Sequence, residues 1–333
     1  MKKSAQIHKA LTIFAYTVML TGMTLLLAVV FRYPQNHLIP RQMIPGVGIC
    51  VIVLLAAGAL WNKIYFLIGK RTPLYLLALA IFGVLLYITS LSRQGNENTL
   101  VDYTYVYRDA MNLATGGTLE YTDYFVTYSN NLKPMLLLSV WFRVAVLLGI
   151  PAFHFVLLRN VLLVLLVVWA CGYLTEQNED CRWRFPILLT FAFLLPLWDM
   201  VSVFYTDSMS FGLGILTLAL LKKAGSTKTN KGKILWSVLA GAVTILAIIW
   251  KITAIIPLIA GAMILLWQRE KADRRVIMQY AAAAIVFGVG LQLWANTYDV
   301  TRKAAVTANP VISWVALGMK EDGSWTNNTE LVE

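Results

Sequence analysis

Apolar residues run along this chain in long unbroken stretches, not in the three-to-four spacing of a helix with one wet face. A helix needs roughly 20 mostly apolar residues to cross the ~30 Å hydrocarbon core. Nine runs predict such helices: Leu11 to Phe31, Ile44 to Leu60, Pro73 to Leu91, Phe153 to Leu174, Phe185 to Trp198, Val203 to Leu221, Ile234 to Trp250, Ile252 to Trp267 and Val276 to Trp294. Lys2, Lys3 and Lys9 precede the first. Its run is longer than the roughly 7–15 residues of a signal core, and Phe31-Arg32-Tyr33-Pro34 is a poor cleavage site, so it reads as a retained anchor.

A tenth run, Met135 to Ile150, can either span or lie flat, and the basic residues decide between the two. If it lies flat, the Lys-rich loop (Lys222, Lys223, Lys228, Lys231, Lys233) and the cluster Arg269, Lys271, Arg274, Arg275 both face the cytoplasm, as the positive-inside rule requires. That arrangement puts 17 of the 28 basic residues inside, against five acidic residues inside and twelve outside. Met135 to Ile150 is therefore expected to be an interfacial amphipathic helix with Arg143 reaching toward headgroups. The expected architecture is an all-α polytopic membrane protein of about nine transmembrane helices, N-terminus inside and C-terminus outside. Its parts are three helices in 1–91, a long extracytoplasmic loop with the interfacial helix in 92–152, six helices in 153–295 and an outer tail in 296–333. A loop of this length is uncommon without a function of its own.

Composition agrees. Of 333 residues, 59% are hydrophobic and only 14% charged, which excludes an ordinary soluble enzyme or a disordered chain. The net charge of +11 would suggest nucleic acid in a soluble protein, but here it is largely the topological excess on the inner side, and no nucleic-acid partner is needed to explain it. Cys50, Cys171 and Cys181 are scattered, without disulfide or zinc spacing. His8, His37 and His154 are isolated and read as structural or interfacial, and no phosphate-binding glycine loop or nucleophile elbow is present. Asn327-Asn328-Thr329 contains an acceptor sequon of little specificity.

Charged groups in or beside membrane segments are costly and so mark candidate sites. Asp102, Tyr105 and Asp109 recur at i, i+3 and i+7 at the start of the long loop, either as a functional face or as a solvated helix face with Tyr103, Tyr105 and Tyr107 as interfacial anchors. Tyr121 to Pro134 is dense in tyrosine and asparagine, which suits a sugar surface or equally a turn and an N-cap. Asp199 and Asp207 flank a short outer turn. Asp207 is either a carboxylate needing a partner or the first-turn residue of a helix. Lys251, and Arg159 inside the fourth span, either snorkel or hold an anion.

These places, in order, resemble the polyprenol-dependent membrane glycosyltransferases of the C superfamily, the group of protein mannosyltransferases and the lipid A aminoarabinose transferase. Asp102 in Val101-Asp102-Tyr103 is similar to that family's first loop Asp. Tyr124-Phe125 with Tyr128-Ser129-Asn130-Asn131 is similar to YF…YPNN, and Tyr205-Thr206-Asp207 to YTD. Trp250-Lys251-Ile252-Thr253 is similar to LKPT, and Asn309-Pro310-Val311-Ile312-Ser313-Trp314 to an NPV-x-HW element; Ser129, Ile252 and Ser313 depart from the pattern. The chain also has two more spans before the loop than the family norm and stops after its ninth helix, which fits a truncated or shortened branch. The resemblance implies a bacterial, multi-pass plasma-membrane enzyme with an extracytoplasmic site, a polyprenyl-phosphate-linked sugar as donor, a cell-wall or surface polymer as acceptor, and membrane lipids as surroundings. It implies Asp102 as base and Asp207 as the second catalytic carboxylate, with Asp207 and Asp199 orienting the acceptor or holding a divalent cation (Mg or Mn). Lys251 and Arg159 are implied on the lipid phosphate, and Arg108, Asp109, Tyr128, Asn130, Asn131 and Tyr205 around the substrate. Two rival functions are a transporter or flippase of lipid-linked sugars and a non-catalytic, degenerate family member.

Overall fold

The computed structural model describes residues 72–91, 101–176, 181, 183–268, 274–301 and 303. The first two expected spans, the element from Asn309 to Trp314 and the outer tail beyond residue 303 lie outside the described residues. Every regular element among the described residues is helical.

Among the described residues four helices are long and apolar enough to cross a membrane: α1 (Thr72–Leu91), α5 (Ala152–Thr175), α10 (Asn230–Trp250) and α12 (Arg274–Ala295). Large apolar side chains stand exposed along α1 (Leu77, Ile81, Val84, Ile88) and α12 (Met278, Ile285, Val286, Leu293). Contiguous exposed apolar surface on this scale is compatible with a membrane protein, whose lipid-facing side chains need no cover.

Three expected spans are interrupted. Phe185 to Trp198 divides into α6 (Arg184–Phe193) and α7 (Leu195–Met200), because Leu194 leaves the helical region (φ −77°, ψ 80°) and a proline occupies the first turn of α7. Val203 to Leu221 divides into α8 (Thr206–Ser210) and α9 (Leu213–Ser226) at Phe211 and Gly212, the latter left-handed at φ +61°. Ile252 to Trp267 begins as a 3-10 turn, Ile252–Ile255, and continues as α11 (Ile256–Gln268). The breaks free backbone groups for other partners and turn the chain where charged residues cluster.

The long loop is helical too: α2 (Val101–Ala114), α3 (Thr122–Thr127), a 3-10 turn (Ser129–Asn131) and α4 (Leu132–Leu147). Tyr103, Val106, Ala110 and Ala114 form the buried stripe of α2, at the spacing that puts them on one face. It packs on α4, whose Leu132, Met135, Leu136 and Phe142 are buried while Val140, Trp141, Val144 and Leu147 on the other face are exposed. At 16 residues α4 is about 24 Å long, short of a bilayer crossing. Arg143 is exposed on α4. Its Nη2 donates to the Leu113 carbonyl at 3.0 Å, in the last turn of α2 where carbonyls lack helical partners.

Phe204 joins this layer to the spanning helices. It lies 5.3 Å from Phe153 of α5 and 6.4 Å from Tyr103 of α2, centroid to centroid, and is fully buried. A buried Phe contributes on the order of 1.5–3 kcal/mol. At the other end of α5, Lys222 of α9 donates to the carbonyls of Tyr173, Leu174 and Glu176, closing the helix C-terminus with a cation. α10 and α12 meet closely, since a Cβ on Gly241 would stand 2.8 Å from the Ala283 Cβ.

Candidate functional site

Tyr103 and Val106 are buried, and Asp102 and Tyr105, half-buried beside that stripe on α2, lie at the edge of an open cleft of about 480 Å³. Tyr121, Asp123, Tyr124 and Tyr128 close its other side, and Glu120 completes it. Ring centroids are 4.7 Å apart for Tyr105 and Tyr121, 4.5 Å for Tyr105 and Tyr124, and 5.0 Å for Tyr124 and Tyr128. The walls are thus phenolic faces and carboxylates, a lining suited to a polyol. Aromatic faces cover its C–H groups and carboxylates accept from its hydroxyls.

Four side chains close a polar ring. The Tyr124 hydroxyl donates to Asp102 Oδ1 at 2.9 Å, and the Tyr205 hydroxyl to Oδ2 at 3.3 Å. Asn131 Nδ2 donates to both phenol oxygens, at 2.7 Å to Tyr124 and 3.0 Å to Tyr205. Burial, then the neighbouring Tyr205 and Asp102, push the Tyr124 phenol far above its ordinary value, so it stays protonated and donating. A carboxylate has about four lone-pair positions; the phenols take two, leaving one on each oxygen for a further donor.

Asn131 occupies the N-cap position of α4, yet its side chain makes no capping bond. The cap reading of Tyr121 to Pro134 therefore does not hold for this amide. Asn130 is exposed and donates to Asn131 Oδ1 at 3.2 Å.

Asp109 does not join the cleft lining. It is fully buried, and its two oxygens accept from the backbone N–H groups of Glu120 and Tyr121 at 2.8 and 3.0 Å. It holds the loop that delivers the cleft residues, after the turn at Gly116 (φ +86°) has ended α2. Burial raises its carboxyl against the opposing pull of those two donors. Arg108 is exposed and donates to the Tyr121 hydroxyl at 3.0 Å, which strengthens its hold on its proton. It therefore reaches the cleft through a wall residue.

Asp207, Lys251 and Arg159 form a second group. Asp207, in the first turn of α8, is ion-paired with Lys251, the residue that ends α10; both are partly exposed. Arg159 of α5 donates to Asn160 Oδ1 (2.9 Å) and to the Met209 carbonyl (3.3 Å), with the Trp141 and Trp250 rings 6.0 and 5.8 Å away. Two cations thus flank α8 and the Trp250–Lys251 junction. Two residues of the site escaped sequence reasoning: Asn160, which also donates to the Val201 carbonyl at 3.0 Å, and Tyr124 as a direct partner of Asp102. Asn160 gives no signal within an apolar helix, whereas Tyr124 is hidden among many similar tyrosines.

No family model, curated protein or solved structure matches the chain.

Among the described residues no group of three or more His, Cys, Asp or Glu is placed to hold a metal ion. The Asp207 carboxylate faces Lys251, and the Asp199 side chain lies outside the described residues. The described side chains do not fit the expected Mg or Mn.

Proposed function

We propose that this protein is a multi-pass membrane glycosyltransferase that moves a sugar from a polyprenyl-phosphate donor to a cell-envelope acceptor on the extracytoplasmic face. The observation that carries this reading is Asp102, a carboxylate at the edge of an open tyrosine-lined cleft, anchored by two phenols and retaining lone pairs for an acceptor. The ordered motif resemblance and the basic-residue asymmetry support it from the sequence side.

In this mechanism the acceptor hydroxyl gives its proton to Asp102 as its oxygen attacks the anomeric carbon. The bond from that carbon to the phosphate oxygen breaks, the configuration inverts, and the polyprenyl phosphate leaves with the electron pair. Lys251 and Arg159 stabilise the charge on the departing phosphate, with Lys251 exchanging its Asp207 partner for the phosphate. General-base assistance of this kind contributes roughly 10²–10⁴-fold.

The test is transfer of labelled sugar from polyprenyl-phosphate donors to envelope acceptors, in wild type and in Asp102→Asn. A loss of about 10²-fold or more is expected, and full activity in Asp102→Asn overturns the mechanism. Translocation of the donor across proteoliposomes without transfer points to the transporter. One observation favours a second reading, a non-catalytic family member: Asp207 and Lys251 already satisfy each other. That reading expects donor binding with no transfer by the wild type.

A further inference from the structure

The amide of Asn131 is 2% exposed and sits where an asparagine ordinarily caps a helix, a bond that this side chain forgoes. Its donors go instead to the two phenol oxygens, and its oxygen accepts from Asn130. Each phenol has one proton. A phenol oxygen that accepts from Asn131 turns that proton elsewhere, and in both cases Asp102 is the acceptor. The direction of donation is the same along the whole chain of bonds: Asn130 to Asn131, Asn131 to the tyrosines, the tyrosines to Asp102.

We propose that Asn131 is a positioning residue for Asp102, acting through Tyr124 and Tyr205 and not by contact with the sugar. The amide aims both phenol protons at the carboxylate, which fixes the plane of the carboxylate and directs its remaining lone pairs into the cleft. The proposal rests on the reading of Asp102 as a base for its kinetic consequence, but the bond geometry behind it is measurable without activity. A residue that shapes the sugar site has a different signature: its loss weakens substrate binding whether or not the phenols are present.

The experiment uses the full chain in detergent or nanodiscs, with Asn131→Leu, of similar size and without a donor, and Asn131→Asp, which accepts where the native side chain donates. Infrared difference spectra against Asp102→Asn identify the Asp102 carboxylate band. That band is expected to shift in Asn131→Leu and in the double variant Tyr124→Phe/Tyr205→Phe, with no further shift when the two are combined. In the transfer assay kcat falls by up to about 10²-fold in Asn131→Leu while KM changes less than about threefold. In the background lacking both phenols the same substitution leaves kcat unchanged. An unshifted carboxylate band, or an equal loss of kcat in both backgrounds, overturns the proposal. If the wild type transfers no sugar, the enzymatic reading fails and the spectra alone decide the role of Asn131. If Asn131→Asp does not fold, Asn131→Leu carries both measurements.

Discussion

The Tyr205 hydroxyl donates to Asp102 Oδ2 at 3.3 Å across 103 residues of chain, tying the start of α2 to the turn that leads into α8. Hydrogen bonds to a charged acceptor contribute about 1.5–3 kcal/mol. Tyr205→Phe keeps the ring packing and removes the hydroxyl that bonds Asp102, Asn131 and Tyr124. It is expected to lower unfolding stability in micelles by about 1–3 kcal/mol. An unchanged denaturation midpoint contradicts the bond.

The Asp207–Lys251 pair behaves differently because both side chains are partly exposed, at 55% and 38%. Exposed pairs contribute at most about 1 kcal/mol, so Asp207→Asn and Lys251→Gln each shift stability by less than that. Their kinetic effects differ. KM for a lipid-phosphate donor rises in Lys251→Gln, whose cation is gone, and not in Asp207→Asn, whose lysine is freed. Parallel KM increases in both variants contradict a phosphate role for Lys251.

Asp109 is the structural counterpart of Asp102. Asp109→Ala strands the backbone N–H groups of Glu120 and Tyr121 and is expected to cost about 1–3 kcal/mol. Because its carboxyl is raised in the folded state, the native protein holds that proton more tightly than the unfolded chain does. The associated stability is fully present below its ordinary value of 3.8 and is lost as pH rises through the raised one. Thermal midpoints of wild type relative to Asp109→Asn should therefore improve as the pH is lowered toward that window. The opposite trend contradicts the direction of the shift.

Gly212 is required for two separable reasons. Its φ of +61° is left-handed, and a Cβ there would stand 2.5 Å from the Val167 Cγ1. Gly212→Ala is expected to destabilise by about 2 kcal/mol or more, from a backbone cost of roughly 1–2 kcal/mol plus the clash. Val167→Ala in the same chain relieves only the clash. Full recovery in the double variant shows that the backbone strain is negligible.

The sequence identifies α1, α5, α10 and α12 because their apolar runs continue for a full crossing. The interruption at Leu194 is illegible in hydropathy, since apolar residues continue on both sides and only Pro196 punctuates them, whereas the one at Phe211 follows the polar run Thr206, Asp207, Ser208 and Ser210 and precedes Gly212. Asp102, Asn131 and Tyr205 are visible as candidates by residue type and motif order. Their convergence is not visible, because a hydrogen bond between residues 74 or 103 apart leaves no periodicity in a single sequence. Asp109 shares a helix face with Asp102 in the pattern, yet one carboxylate borders the cleft and the other is buried against backbone. The difference comes from the loop after Gly116 folding back over α2, which local spacing does not encode.

The polar ring also sets an order of events during synthesis. Asp102, Tyr124 and Asn131 emerge from the ribosome together, but the corner supplied by Tyr205 follows only after α5, α6 and α7 have been made. Until then Asn131 has one acceptor fewer and Asp102 one donor fewer. A nascent chain that stops short of residue 205 therefore cannot complete the ring, and the ring closes only after the helices that support it have been made.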